Sequence, residues 1–142
     1  KINNESRQCY FCYNDGYDLP GAVTNARGCR KIQTCSSDEV CWVSNVINQG
    51  ITTYNFGCRS QLACQANTIS TLMSNGINTG IDLKHFYMTG EVHIVGRKRG
   101  FSICDACCGD DLCNDDACGV VRERLLTFAS AGKLNYTTLR IV

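Results

Sequence analysis

The sequence lacks several features by which proteins commonly reveal their partners. No stretch approaches the roughly 20 apolar residues that a membrane-spanning helix needs, so no transmembrane segment is predicted. No charge of one sign dominates, because 14 basic side chains stand against 13 acidic ones, for a formal net charge of +1. A nucleic-acid partner is therefore not expected, since such proteins carry a strongly basic surface. There is no repeat or low-complexity tract, and a length of 142 residues favours one domain.

Histidine is scarce, which argues against catalysis and against metal binding. His85 and His93 are the only histidines, and neither adjoins a cysteine or forms a Ser-His-Asp order, so solvated or packed side chains are expected. The pairs Cys9-x-x-Cys12 and Cys104-x-x-Cys107 have zinc-type spacing but no histidine partners, which favours structural disulfides. We predict no cofactor, no metal and no enzymatic activity.

Cysteine is abundant and indicates a secreted protein. Twelve cysteines in 142 residues suit an oxidising compartment, where each bridge stabilises the fold by about 2–4 kcal/mol. The chain opens at Lys1 without a signal-peptide pattern, which we interpret as a mature form whose leader has been removed. The sequons Asn4-Glu5-Ser6 and Asn135-Tyr136-Thr137 make Asn4 and Asn135 candidate N-glycosylation sites.

The pattern of turn formers and β-branched residues predicts two hairpins and a loop. Residues 13–22 are rich in turn formers and contain Pro20, so they form a short loop or hairpin. Residues 42–47 and 51–56 are β-rich and form the clearest hairpin, with its tip at 47–51. A second hairpin is predicted over 92–104, with basic residues in its turn.

Helical periodicity and good helix formers occur twice. Over Thr68–Ser74 the apolar residues Ile69, Leu72 and Met73 recur at helical spacing behind the capping candidates Asn67 and Thr68, which predicts a short helix that ends at Asn75-Gly76. Gly119–Ala129 predicts a second helix, closing at residues 130–132. Residues 134–142 alternate well enough for one strand that would add to a sheet edge or trail.

The order of the cysteines resembles that of a known family. In sequence they are Cys9-x-x-Cys12, Cys29, Cys35, Cys41, Gly57-Cys58, Cys64 and Cys107-Cys108-x-x-x-x-Cys113-Asn114. This order resembles the three-finger fold of the Ly6/uPAR superfamily, which includes snake three-finger toxins, and the closing Cys-Cys…Cys-Asn signature is its most specific part. The resemblance covers residues 9–114. It implies a small, disulfide-rich, mainly β protein whose three fingers span about 12–29, 41–58 and 64–107.

The resemblance also implies a disulfide framework and a structural role for one asparagine. The implied bridges are Cys9–Cys41, Cys12–Cys29, Cys35–Cys58, Cys64–Cys107 and Cys108–Cys113. They gather at one end, so that β loops can project without a large apolar core. In this pattern the side chain of Asn114 ties the C-terminal segment to backbone groups near the bridges.

Three departures from the family pattern define what is particular to this chain. The interval from Cys64 to Cys107 is long, and it holds the predicted helix as an insertion in the third finger. Cys104 and Cys118 lie outside the ten-cysteine pattern, and we predict that they bond each other. The chain continues past Asn114 without the apolar tail of a lipid-anchor signal, which favours a soluble protein if no tail was removed. The division is thus a three-finger domain over 1–118 and an extension over 119–142.

Two finger tips are candidate partner-binding surfaces. Arg97, Lys98 and Arg99 place three cations at one turn, where they would steer an acidic partner, although an ordinary solvated turn is equally compatible. The other tip carries aliphatic residues where a turn is usually polar, which suggests contact with a partner or packing against a neighbouring finger. Its members are Val46, Ile47, Asn48, Gln49, Gly50 and Ile51.

Other conspicuous residues favour structural roles. Trp42, next to Cys41, is expected in the core over the central sheet. A group of five carboxylates lacks the spacing of a calcium loop and is expected to form a solvated edge, or to pair with Arg122 and Arg124. They are Asp105, Asp110, Asp111, Asp115 and Asp116.

These observations predict a secreted, non-enzymatic extracellular binding module that recognises a protein partner or receptor through its finger loops. The toxin branch of the family offers an alternative, a modulatory ligand of a receptor or ion channel. A second alternative is a structural protein that associates with itself through the edge strand at 134–142. The oligomeric state, the partner and any membrane anchor in the precursor stay open.

Overall fold

The computed structural model describes residues 6–12, 23–76 and 101–142. These ranges form a small, disulfide-rich, mainly β structure with two helices. The elements are β1 (Gln8–Tyr10), β2 (Ile32–Thr34), β3 (Glu39–Asn48), β4 (Ile51–Ser60), α1 (Gln61–Ser74), β5 (Phe101–Cys108), α2 (Cys118–Ser130), β6 (Leu134–Asn135) and β7 (Arg140–Ile141).

The central sheet is built on the predicted hairpin. β3 and β4 pair antiparallel along their whole length, and β5 pairs antiparallel with the other side of β3, giving the order β4-β3-β5. The two strands join through Gln49 and Gly50, whose φ angles are 54° and 80°. A two-residue turn with positive φ at both positions matches the twist of a hairpin, and glycine adopts it without strain. The predicted hairpin and its tip are confirmed.

The pleat of this sheet assigns the cysteines to two faces. Cys41 on β3 lies opposite Cys58 on β4 and Cys108 on β5, so the three side chains share one face. Cys107 precedes Cys108 and therefore points to the other face, where it bonds Cys64 of α1. The adjacent cysteines of β5 thus attach different parts of the chain to the two sides of the sheet. We call the group Cys41, Cys58 and Cys108, with their bonded partners, the disulfide hub.

All twelve cysteines are paired, with Cα–Cα separations between 5.3 and 6.1 Å. The separations lie in the ordinary range for a disulfide. The pairs are Cys9–Cys41, Cys12–Cys29, Cys35–Cys58, Cys64–Cys107, Cys104–Cys118 and Cys108–Cys113, which are the six pairs anticipated above.

Both faces of the sheet are covered by apolar side chains. The larger cluster joins the hub to Val43 and Phe56 and to residues of α2, including Val121 and Leu125. The smaller cluster lies on the opposite face and contains Val40, Trp42, Cys64, Cys107 and Leu139. The two helices, the short strands and the end of the chain therefore pack against the two faces of one sheet.

α1 begins earlier than the sequence predicts. Its first residue is Gln61 rather than Thr68, and its N-cap is Ser60, whose Oγ accepts a hydrogen bond from the N–H of Ala63 at 3.5 Å. The expected caps at Asn67 and Thr68 are inside the helix, so this part of the prediction is wrong. The reason is the bond from Cys64 to Cys107, which holds the first turn against the sheet. The predicted end at residues 75–76 is confirmed.

α2 extends the predicted terminal helix by one residue at each end. Its buried residues are Cys118, Val121, Leu125 and Ala129, which recur at the three- and four-residue spacing of one helix face. The face packs into the larger core cluster, and Cys104 of β5 bonds the first residue of the helix. The chain leaves the helix through Gly132, whose φ of 73° suits glycine.

The predicted single strand over 134–142 is wrong. β6 and β7 instead form a terminal hairpin, in which Leu134 pairs with Ile141. The reversal is stabilised by Asn135, whose Oδ1 accepts hydrogen bonds from the N–H groups of Thr137 and Thr138 at 2.9 and 3.2 Å. An asparagine that bonds the backbone two residues ahead forms a turn of its own, which overrides the alternating pattern.

The terminal hairpin packs closely against the residues that follow β5. The N–H of Gly109 donates to the carbonyl of Leu139 at 2.8 Å, and the N–H of Ile141 donates to Oδ2 of Asp110 at 3.2 Å. A Cβ atom at position 109 would collide with the carbonyl oxygen of Thr138, so glycine is required there. The terminal hairpin therefore lies at the hub end of the sheet.

Several predictions fall outside the described residues. These include the loop at 13–22 and the first half of the hairpin at 92–104, whose second half is part of β5. The small sheet of β1 and β2 was not anticipated. Neither α1 nor α2 is long and apolar enough to cross a bilayer, and the described ranges hold no other candidate.

Candidate partner-binding surface

The tip of the β3–β4 hairpin, residues 47–51, exposes aliphatic side chains on both of its faces. In the ladder Ile47 lies opposite Thr52, and Asn48 lies opposite Ile51. Because side chains alternate along a strand, Ile47 and Ile51 belong to opposite faces. Ile47 is 41% exposed and Ile51 is 61% exposed. The structure thus divides the candidate aliphatic residues between two sides of one ribbon.

The ribbon is supported almost to its end. β5 pairs with β3 as far as Phe101, which lies opposite Asn48, so the ladder has three strands up to the turn. Val46 belongs to the face of Ile51 and is partly buried. At about 3.3 Å per residue the seven steps from Cys41 to Asn48 carry the tip about 23 Å from the hub. The side chain of Asn48 is not among those described.

Asn114 joins the hub end of the hairpin to the N-terminal strand. Its side chain is fully buried and uses both halves of the amide. Oδ1 accepts from the N–H of Tyr10 at 3.0 Å, while Nδ2 donates to the carbonyls of Tyr10 at 3.1 Å, Trp42 at 2.8 Å and Gly57 at 3.5 Å. One side chain thereby satisfies backbone groups of β1, β3 and β4, which is the role expected of it.

Trp42 is a core residue, as expected. It is 6% exposed, and its Nε1 donates to Oδ1 of Asp105 at 2.9 Å. The guanidinium of Arg59 lies 4.3 Å from the centre of the indole ring and 3.8 Å from the same carboxylate. Tryptophan, arginine and aspartate therefore form one group on the sheet face opposite the hub cysteines.

The five carboxylates between residues 105 and 116 each have their own partner. Asp110 and Asp111 accept backbone N–H groups of Ile141 and Gln8, and Asp105 accepts from Trp42. Asp115 pairs with Arg124 at 2.8 Å, whereas Arg122 donates to the backbone carbonyl of Asp105 and contacts no carboxylate among the described residues. The expected pairing is thus found for Arg124. These carboxylates act as separate ties between neighbouring segments.

Asp116 is the buried member of this group, since it is only 8% exposed. Burial by itself raises its pKa, but the N–H of Ala117 at 2.7 Å and the guanidinium of Arg27 at 2.8 Å outweigh burial and lower the pKa below its usual value. The carboxylate therefore stays ionised and ties the loop before Cys29 to the start of α2. It does not belong to a solvated acidic edge.

Within the described residues, the side chains that come nearest to forming a metal-ligand cluster are cysteines that are already bonded. The Sγ atoms of Cys9, Cys35 and Cys58 lie within 4.8 Å of one another. Two disulfides, Cys9–Cys41 and Cys35–Cys58, bring them together. A disulfide sulfur carries no thiolate charge, so the cluster offers no metal ligand while the bridges are closed.

An apolar groove between α2 and the terminal hairpin was missed in the sequence. It has a volume of about 300 Å³ and is lined mainly by Val121, Leu125, Phe128, Leu139 and Ile141. The groove exists because residues 134–141 fold back on themselves. The signal for that reversal was Asn135, because an asparagine side chain can bond the backbone two residues ahead and so favours a turn.

Of the other candidate residues, only some lie within the described ranges. Arg97, Lys98 and Arg99, together with Asn4, His85 and His93, lie outside the described residues. Asn135 is described and is exposed at the surface of the terminal hairpin. The candidate partner-binding residues within the described ranges are therefore those of the β3–β4 tip.

Comparison of this chain with family models, with curated proteins and with solved structures gives no match.

Proposed function

We propose that this chain is a secreted, non-enzymatic binding module of three-finger architecture that recognises an extracellular protein through its finger loops. The six disulfides support secretion, because such a framework persists in an oxidising compartment. The three-finger interpretation is supported by the pairing of the cysteines and by the contacts of Asn114. The middle finger is then the β3–β4 hairpin, and the third finger ends in β5.

The observation that carries the proposal is the exposure of Ile47 and Ile51 at the end of a supported ribbon. Isoleucines at a two-residue turn are not needed for the turn itself, which depends on Gln49 and Gly50. Their opposite placement suits insertion into a cleft, where both faces of the ribbon would contact a wall. A flat partner surface would bury only one of them.

The energetics of such an insertion are favourable. Complete burial of an isoleucine side chain contributes about 1.5–3 kcal/mol, and the exposed fractions of 41% and 61% leave part of that gain available to a partner. The ladder and the hub already order the ribbon, so little conformational entropy is lost on binding. Arg97, Lys98 and Arg99 would add electrostatic steering of an acidic partner, which raises the association rate.

We also propose that the protein is not an enzyme. Every cysteine is bonded, so a thiol nucleophile is not available in the oxidised protein. The carboxylates of the described third-finger end are engaged by N–H groups or by arginine, which suits structural ties better than acid–base chemistry.

A binding screen with matched variants tests the proposal. Fluorescent tetramers of the chain would be screened against an array of cell-displayed receptor ectodomains, and hits would be titrated with Ile47→Thr and Ile51→Thr. Threonine keeps the β-branched shape and removes apolar surface. Each variant is expected to weaken binding about tenfold, which corresponds to about 1.4 kcal/mol.

The control is Leu62→Gln, which removes apolar surface from α1 at a residue that is 51% exposed. It should leave affinity unchanged. Loss of binding in both tip variants supports insertion into a cleft, whereas loss in one alone indicates a flat contact on that face. Equal effects of Leu62→Gln and the tip variants would contradict recognition through the tip.

A further inference from the structure

We infer that Asn135 is N-glycosylated and that its glycan stands on the hub end of the molecule, away from the β3–β4 tip. The inference rests on the proposed secretion but not on the proposed recognition of a partner. Its starting point is the sequon Asn135-Tyr136-Thr137, since the residue between asparagine and threonine is not proline.

The first structural argument concerns the hydrogen bonds of the Asn135 side-chain amide. Oδ1 accepts two backbone hydrogen bonds, from Thr137 and Thr138, while Nδ2 makes no hydrogen bond within the described part of the chain. Glycosylation replaces one hydrogen of Nδ2 and leaves the carbonyl oxygen as an acceptor. The turn of the terminal hairpin can therefore persist with the sugar attached.

Asn114 shows the opposite arrangement and makes the contrast clear. Its Nδ2 donates to three carbonyls in a fully buried site, so a substituent on that nitrogen would disrupt these hydrogen bonds. Asn135 is exposed, and so is Thr137, the sequon residue whose hydroxyl the transferase requires. The folded structure therefore has room for a glycan on Asn135.

The second argument concerns the direction in which the glycan would point. Asn135 pairs with Arg140, and Leu134 pairs with Ile141, so the two pairs lie on opposite sides of the terminal hairpin. Leu134 is 6% exposed and Ile141 lines the apolar groove. Asn135 consequently lies on the outward side, and the sugar would leave the groove open.

The third argument is the position of the terminal hairpin in the fold. Hydrogen bonds join it to the backbone of Gly109 and to the carboxylate of Asp110, and both residues directly follow the hub cysteine Cys108. The β3–β4 tip lies at the other end of the ribbon, about 23 Å from the hub at 3.3 Å per residue. The glycan would cover the hub end and the edge of β6 while the tip stays accessible.

The chemistry of attachment requires a donor that the secretory pathway supplies. Nδ2 of Asn135 attacks the anomeric carbon of a pyrophosphate-activated, lipid-linked oligosaccharide. The new N–C bond replaces the C–O bond to phosphate, the lipid pyrophosphate departs, and one Nδ2 proton is released. No oxidation or reduction is involved.

Peptide mapping of the secreted chain tests the inference. The full chain would be expressed behind a secretion signal in animal cells, and the purified protein treated with peptide N-glycosidase in heavy-oxygen water. Labelled conversion of Asn135 to Asp is expected in the wild type and in Thr137→Ser. None is expected in Thr137→Ala, which lacks the hydroxyl, or in Asn135→Asp, which keeps an acceptor oxygen for the turn.

Asn4 separates failure of the site from failure of secretion. A label at Asn4 without one at Asn135 would overturn the inference, although the chain had entered the compartment where glycosylation occurs. An unlabelled Asn135 in secreted protein with all six bridges closed would overturn it equally.

Discussion

The two ends of the β3–β4 hairpin are built from opposite kinds of side chain. At the hub end Cys41 and Cys58 lie side by side, and the buried amide of Asn114 bonds the backbone of both strands. At the tip Ile47 and Ile51 are exposed although the turn does not need them. The residues that stabilise the fold and the candidate recognition residues therefore lie at opposite ends of one ribbon. Mutations at the two ends should therefore affect different properties.

The largest effect is expected from Asn114→Ala. The substitution leaves the N–H of Tyr10 and the carbonyls of Trp42 and Gly57 without their buried partner. Because each unsatisfied buried group costs about 1–3 kcal/mol, we expect the free energy of unfolding to fall by about 4 kcal/mol. Denaturant unfolding of the oxidised protein measures this loss.

Asn75→Ala is the control for that measurement, because Asn75 is exposed at the end of α1 and makes one local side-chain bond. It should change the free energy of unfolding by less than about 1 kcal/mol. A similarly small change for Asn114→Ala would mean that the hub does not depend on this amide, and the contrast between the two ends of the ribbon would disappear.

The second effect concerns the bridge that lies between the two ends. Cys104 is opposite Asn45 in the middle of the sheet, and its bond to Cys118 closes a loop with a sequence separation of 14. A loop of this size contributes about 3 kcal/mol in the chain-entropy account. Cys104→Ala with Cys118→Ala should lower the free energy of unfolding by about that amount.

Hydrogen exchange locates the consequence of removing this bridge. Amides of α2 should exchange faster, while those of β3 and β4 stay protected by the remaining hub. Val120→Ala is a suitable control, because Val120 is on the same helix and is 41% exposed. Faster exchange throughout β3 and β4 would show that the hub alone cannot hold the ribbon.

Sequence reasoning succeeded where the determinant is a chemical pattern and failed where it is a tertiary contact. The β3–β4 hairpin follows from β-branched residues around Gln49-Gly50. Five of the disulfide pairs follow from the resemblance of the cysteine order to a known family, and the sixth follows from the two cysteines that this order leaves over. The start of α1 was missed although Ser60 is a favoured N-cap residue and Leu62 and Ala63 are good helix formers; the bond between Cys64 and Cys107 holds this turn against the sheet.

The terminal hairpin and the tip show two other kinds of failure. Alternation over residues 134–142 predicted one strand, but the side chain of Asn135 provides a local turn that wins over that weak pattern. The division of Ile47 and Ile51 between two faces was accessible in the sequence, because a two-residue turn at 49–50 forces Asn48 to pair with Ile51.

The smallest effect is expected at the tip, and it sharpens the comparison most directly. Ile47→Thr and Ile51→Thr alter residues that are 41% and 61% exposed at the end of the ladder, with β-branched shape retained. Surface substitutions of this kind change the free energy of unfolding by less than about 0.5 kcal/mol. The same variants are expected to weaken partner binding about tenfold, so stability and affinity should separate. If either variant instead lowered the free energy of unfolding by about 2 kcal/mol, as loss of a packed isoleucine does, the tip would be packed against another part of the chain and would not be a free recognition surface.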